Sequence, residues 1–163
     1  MGDRRKQLRG LNVSVARTTE QQFTLQKGSN VMTNKKIFVN IAVKDLKRAN
    51  AFFTALGYAF NPQFSDENAT CMIVSDDIFV MLLADKYFQT FTPKAVGDST
   101  KTTAAIICLQ CESREDVDAI VKKAVAAGGS TYNEAKDHGF MYQHGFMDPD
   151  GHIWELVAMA AQG

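Results

Sequence analysis

Disulfides, long hydrophobic runs and net charge are all scarce in this sequence. It holds three cysteines in 163 residues: Cys71, Cys108 and Cys111. An odd, sparse count argues against a disulfide framework and suits a reducing, cytoplasmic compartment. Cys108-Leu109-Gln110-Cys111 is a lone C-x-x-C. A structural zinc site needs a second pair of ligands at matching spacing, and none is present. A redox pair would sit on the first turn of a helix. Here Cys108 falls in an apolar, strand-like run, so the two thiols should point to opposite faces as small core residues. No run of about 18 apolar residues exists, so no helix is expected to span a membrane. Lys plus Arg and Asp plus Glu number 18 each, giving a formal net charge of zero. No long-range field is therefore available to draw nucleic acid or a membrane surface. No glycine-rich loop opens a helix, so nucleotide binding has no support.

What is present is ordinary globular material. Hydrophobic residues make up 45% and charged residues 22%, enough for the core of one domain. The first 31 residues stand apart. Arg4, Arg5, Lys6, Arg9, Arg17 and Lys27 face only Asp3 and Glu20, a local balance of +4 that leaves the remainder at −4. Apolar residues show no period there. The segment reads as an extension ahead of the domain, vector-derived or begun upstream of a natural start at Met32. A targeting peptide and a basic arm are the competing readings. A secretory signal would need an apolar core of about 7–15 residues, which is missing.

From Met32 onward the pattern is regular. Ile37–Val43 is β-branched, aromatic and apolar, as expected of a buried strand. Asp45 caps a helix whose stripe is Leu46, Ala49, Phe52, Phe53 and Leu56, and Gly57 ends it. Strands are expected over Thr70–Ser75 and Ile78–Ala84, with a weaker one near Tyr58–Gln63 because of Pro62. Lys86 to about Lys101 contains Pro93 and Gly97 and reads as a connector. The order then repeats. Thr103–Cys111 is a strand. Ser113 caps a helix with Asp116 placed as in a capping box, and Val117, Ile120, Val121 and Ala124 form its stripe. Gly128-Gly129 ends it. Further strands are expected near Ser130–Glu134, Gly139–Met147 and His152–Met159. Asp76–Ala84 lies over Asp150–Ala158 at an offset of 74, and Asp45 over Ser113 at an offset of 68. Each half reads as β-α-β-β-β, so the fold class is α+β with two tandem modules at about residues 36–85 and 102–160.

Paired modules with these landmarks resemble the vicinal oxygen chelate superfamily, the glyoxalase, bleomycin-resistance and dioxygenase group. The carrying residues are Val43-Lys44-Asp45-Leu46 leading to Ala51-Phe52-Phe53 and Leu56-Gly57, then Ala126-Ala127-Gly128-Gly129, then Asp148-Pro149-Asp150-Gly151-His152-Ile153-Trp154-Glu155. The likeness spans about Lys36 to Met159. Phe38-Val39-Asn40, Asn61–Asn68 and Asp137–Tyr142 resemble, more narrowly, bacterial predicted lactoylglutathione lyases. The resemblance implies a curled mixed sheet around a cavity, a small-molecule ligand and a homodimer. In metal-dependent members it implies four His, Glu or similar ligands, from the first and last strand of each module.

Those positions fall here on Phe38, Met81, Ile106 and Glu155, and a two-residue shift of register brings in Asn40, Leu83 and Cys108. One carboxylate does not hold a catalytic metal. No metal or other cofactor is therefore expected, and Ni, Zn, Mn or Fe enters only if the register hides a site. Glu155 shares a strand face with Ile153 and Val157, which marks it as an acid/base or an anchor for a cationic or hydroxylated ligand, or as a satisfied core carboxylate. His138, Phe140, Tyr142, His144 and Phe146 alternate onto one face. His138 and His144 lie about 20 Å apart by strand rise, too far to share an ion. His144 and Tyr142 are candidate partners for Glu155 in proton transfer, with a structural histidine as the plainer reading. Candidate pocket residues are Phe38, Asn40, Phe79, Met81, Ile106, Cys108, Phe140 and Trp154. Asp148-Pro149-Asp150-Gly151 has a type I turn signature and is expected to position the last strand. Two readings of function result. One is a metal-free pocket protein that binds a small organic molecule. The other is a lyase or isomerase of the lactoylglutathione lyase kind that uses Glu155.

Overall fold

A computed structural model describes residues 33–160 of the chain; the basic extension over residues 1–31 lies outside them. The first module runs β1 (Ile37–Val43), α1 (Leu46–Leu56), β2 (Ala59–Asn61), β3 (Ala69–Ile73) and β4 (Ile78–Ala84). The second runs β5 (Ile106–Cys111), α3 (Arg114–Ala126), β6 (Lys136–Asp137), β7 (Met141–Met147) and β8 (Ile153–Met159). Between them lies a short helix, α2 (Asp85–Phe88), and a 3₁₀ turn over Gln89–Phe91. The connector expected from Pro93 and Gly97 is thus helical in its first part. A 3₁₀ turn also follows β2, with Pro62 at its first position, where a missing N–H costs nothing.

The strands form two separate four-stranded mixed sheets with equivalent orders, β1-β4-β3-β2 and β5-β8-β7-β6. In each, the first strand runs parallel to the last, with the helix as the crossover between β1 and β2 or between β5 and β6. Residues 130–134 differ from expectation. Only Ser130 pairs, as an isolated bridge to Met147, and the sheet edge is the two-residue β6 instead.

Local chemistry explains the two long helices, α1 and α3. The Asp45 side chain accepts from the Arg48 N–H at 3.0 Å. Ser113 accepts from the Asp116 N–H at 3.1 Å and donates back to its carboxylate at 2.7 Å. Gly57 ends α1 at φ 108°, a left-handed conformation that costs glycine nothing. Its N–H and that of Tyr58 then take up the Thr54 and Phe53 carbonyls.

Period-2 alternation sets the core. Ile41, Val43, Met72, Val80 and Leu82 of the first sheet and Phe146, Trp154, Leu156 and Ala158 of the second turn inward, joined by Ala49, Phe52, Phe53 and Leu56 of α1. The α1 rings cross to the second module: Phe53 lies 5.0 Å from Trp154 and Phe52 lies 5.9 Å from Phe146, centroid to centroid. Each such side chain contributes about 1.5–3 kcal/mol by leaving water. The helices α1 and α3 fill one face of each sheet; the other face of the first sheet is partly covered by α2 and the linker.

Candidate functional site

The open face of the first sheet carries Phe38, Asn40 and Ala42 from β1 and Phe79, Met81 and Leu83 from β4, because alternate residues share a face. Phe38 and Phe79 stack at 4.9 Å. Asn40 sits directly beside Met81. Above this floor lies a cleft of about 390 Å³. Asn40, Met81, Leu83 and Ala69 form its base. One wall is the turn after β2, with Gln63, Phe64, Ser65 and Asp66, and the other is the linker, with Tyr87 and Phe91.

Both walls are pinned by their own hydrogen bonds. Ser65 Oγ donates to the Asn61 carbonyl at 2.7 Å and accepts from the Cys71 N–H at 3.1 Å. Asp66 Oδ1 accepts from the N–H groups of Asn68 and Ala69, at 2.7 and 2.9 Å. In the linker, Gln89 Nε2 donates to the carbonyls of Thr92 and Lys94, and Thr90 Oγ1 donates to that of Tyr87. Phe64 and Phe91 stay 56% and 59% exposed. Exposed aromatics on two walls of one depression are a common mark of a ligand site.

The open face of the second sheet carries Ile106, Cys108 and Gln110 from β5 with Ile153, Glu155 and Val157 from β8. Cys108 lies beside Glu155 as Asn40 lies beside Met81, so the duplication holds at the level of register. Glu155 accepts a hydrogen bond from the Gln143 amide, whose oxygen in turn meets His138 Nε2 at 3.2 Å. Since that amide nitrogen already donates to Glu155, His138 Nε2 is the donor in the second contact. Burial, the hydrogen bond to Glu155 and the charge of Glu155 push the Cys108 thiol up to about 11. The Tyr132 phenol is also raised, by burial first and by the nearby Glu155 second. A β-carbon on Gly145, opposite Glu155, would lie 2.5 Å from the Trp154 carbonyl oxygen and 2.6 Å from the Tyr132 hydroxyl. Gln143 and Tyr132 were not legible as site residues. The only sequence signal for Tyr132 was a glycine directly across from the one carboxylate.

Four sequence candidates need correction. His144 and Tyr142 alternate with Gln143 and Gly145, so they face the helices, while Glu155 faces the open side. Tyr142 donates to Asp118 of α3 at 2.7 Å beneath the Arg114 guanidinium, 4.1 Å above its ring. His144 pairs with Leu156, not with Glu155. Trp154 is fully buried, and its indole donates to Asp148 at 3.1 Å. It belongs to the core and does not line the first-sheet cleft. Phe140 sits 65% exposed on the β6–β7 connection and does not line the cleft. Cys108 and Cys111 point to opposite faces as expected, paired with Glu155 and Ala158.

The donor set does not fit a divalent metal at the positions the superfamily would use. The side chains that stand there are Phe38 or Asn40, Met81, Ile106 or Cys108, and Glu155. Among the described residues, no three His, Cys, Asp or Glu side chains converge. The one carboxylate already accepts a hydrogen bond from the Gln143 amide, and its strand neighbour is the Cys108 thiol.

Comparison with known proteins agrees with this fold. Residues 35–75 match the family described as bleomycin resistance protein-like N-terminal. Among solved structures, a hypothetical protein, SA1046, from S. aureus is 25% identical, with a TM-score of 0.67 over 78% of this chain and 95% of that one. A glyoxalase-related enzyme from Fulvimarina pelagi is 20% identical, with a TM-score of 0.66 over 77% of this chain and 88% of that one. The genomically encoded fosfomycin resistance protein FosX from Listeria monocytogenes is 21% identical, with a TM-score of 0.58 over 81% and 96%. No curated protein matches the chain in sequence. The fold is the glyoxalase/bleomycin resistance fold, and the first module is similar in sequence to the bleomycin resistance protein-like N-terminal family.

Proposed function

We propose that this protein binds a small organic molecule in the cleft on the open face of its first sheet, without the divalent metal that enzymes of the superfamily use. The observation that carries this reading is the cleft itself. Its base is mainly apolar, with Asn40 as a polar point, and aromatic side chains stand on two walls. A few polar groups over an apolar floor fix a ligand's orientation while burial supplies affinity. Met81 stands where a metal ligand would, and its flexible thioether suits an adaptable floor. Fragment titration followed by NMR tests the reading. Met81→Trp, which fills the cleft from its base on the side away from the core, should abolish binding and leave the fold intact.

A second copy of the chain is the proposed partner. β1 and β5 are edge strands, and Ile37, Phe38, Ile78 and Ile106 on or beside them are 39–53% exposed. Such edges invite pairing. Light scattering of the purified protein should give twice the chain mass, and Ile106→Glu should halve it. Among the described residues no helix is long and apolar enough to cross a membrane. The three free thiols fit a cytoplasmic setting.

The enzymatic reading has its own support in Glu155, which is half-buried and surrounded by Cys108, Gln143 and Tyr132. This is acid–base machinery for a lyase or isomerase. Lactoylglutathione lyase chemistry needs a metal to polarise two adjacent oxygens, and the donors here do not supply one. An activity sensitive to Glu155→Gln and indifferent to chelators would favour this reading.

A further inference from the structure

We propose that the first-module cleft selects a flat aromatic molecule that carries a protonated amine. This rests on the binding reading above and names its ligand class. The argument starts from charge. Among the described residues that line the cleft, none is Lys, Arg or His, and the one charged side chain is Asp66. Asp66 spends Oδ1 on two backbone N–H groups of its own turn. That holds the carboxylate in place and leaves Oδ2 without a hydrogen-bond partner among the described residues. Among the described residues no Lys or Arg forms an ion pair with it. A carboxylate fixed at the rim favours a cation and disfavours an anion.

The shape argument is independent. Phe64 comes from the turn before Asp66, and Phe91 and Tyr87 come from the linker, with the last two rings edge to face at 5.2 Å. Rings on two walls over the Met81 and Leu83 floor suit a planar apolar body. The same rings attract a cation held close to their faces. A polyanionic ligand finds no positive side chain among the residues that line the cleft.

The test uses three probes of one shape and different charge: 1-naphthylmethylamine, 1-naphthylmethanol and 1-naphthoate. Each is titrated into the full chain at pH 7 and low salt, with affinities from calorimetry. The amine should bind about threefold to fivefold tighter than the alcohol, and the carboxylate more weakly than both, as expected for one partly exposed charge. In Asp66→Asn, where the amide oxygen keeps the backbone bonds, the amine and the alcohol should bind equally while the alcohol's affinity is unchanged. Phe91→Ala should weaken all three. Equal binding of all three probes at the cleft overturns the charge selection and leaves the binding reading standing. A preference for the carboxylate, or an amine preference that survives Asp66→Asn, overturns it too. If none of the three binds, the inference fails, and titration with uncharged fragments then judges the binding reading separately.

Discussion

The Arg48 guanidinium of the first module reaches the Asp150 carboxylate of the second at 2.8 Å. Asp150 is 4% exposed and also accepts the Lys44 N–H at 3.1 Å. The turn before β8 therefore holds the start of α1, and the two modules are joined by a buried charge as well as by rings. Asp150→Ala strands the part-buried Lys44 N–H and removes the buried partner of the half-exposed guanidinium, and should cost about 1–3 kcal/mol. Arg48→Ala leaves a buried carboxylate with one partner and should cost at least as much. Denaturant melts of the two single variants and the double variant measure this. Additive losses would show that the pair is not coupled.

Trp154 is the only tryptophan and is fully buried against Phe53 and Phe146. Its fluorescence should be blue-shifted, sensitive to unfolding and unchanged when a ligand fills the first-module cleft. A large emission change at saturating ligand, without loss of secondary structure, would place the ligand elsewhere. Trp154→Ala should cost about 3–5 kcal/mol.

Gly145 is required by a close approach. With Trp154 O and the Tyr132 hydroxyl 2.5 and 2.6 Å from any added β-carbon, Gly145→Ala should destabilise by about 1–3 kcal/mol. Moving Tyr132 relieves only one of the two clashes. Tyr132→Ala in the Gly145→Ala background should therefore recover part of the loss in a thermal melt, never all of it.

The Cys108 thiol, raised from 9.0 to about 11, should alkylate slowly at pH 8 despite its exposure, because the thiolate is the nucleophile. Glu155→Gln removes a charge and should speed the reaction, leaving burial as the residual brake. The linked stability has a definite sign. The fold favours the protonated thiol, so that contribution is present below pH 9 and is lost as pH rises toward 11. Site-resolved mass spectrometry of iodoacetamide adducts reads this directly. Alkylation at the rate of a free thiol would contradict the placement of Glu155.

Much of this fold was legible before any coordinates. The helix boundaries at Asp45, Gly57 and Ser113 followed from capping chemistry, and β1 and β4 from their apolar runs. The offset between halves was readable too, since Asp45 and Ser113 cap equivalent helices. The face assignment of β7 and β8 was harder. Alternation groups Tyr142, His144 and Phe146 together but leaves open which group meets the helices. The clue lay in Trp154 and Glu155, neighbours that must face opposite ways, with the larger apolar one buried. The cleft's outer wall was also hidden. Pro93 and Gly97 announce a connector, whereas Tyr87 and Phe91 just before them fold into helical turns against the sheet.

The most direct test of the central claim is a ¹H–¹⁵N correlation spectrum of the metal-free protein, titrated with a library of uncharged aromatic fragments. Binding as proposed shifts the amides of Asn40, Phe64, Ser65, Asp66, Met81, Tyr87 and Phe91 together, and Met81→Trp removes the effect. Shifts confined to Cys108, Gln143 and Glu155, or binding that appears only after a divalent metal is added, would contradict it.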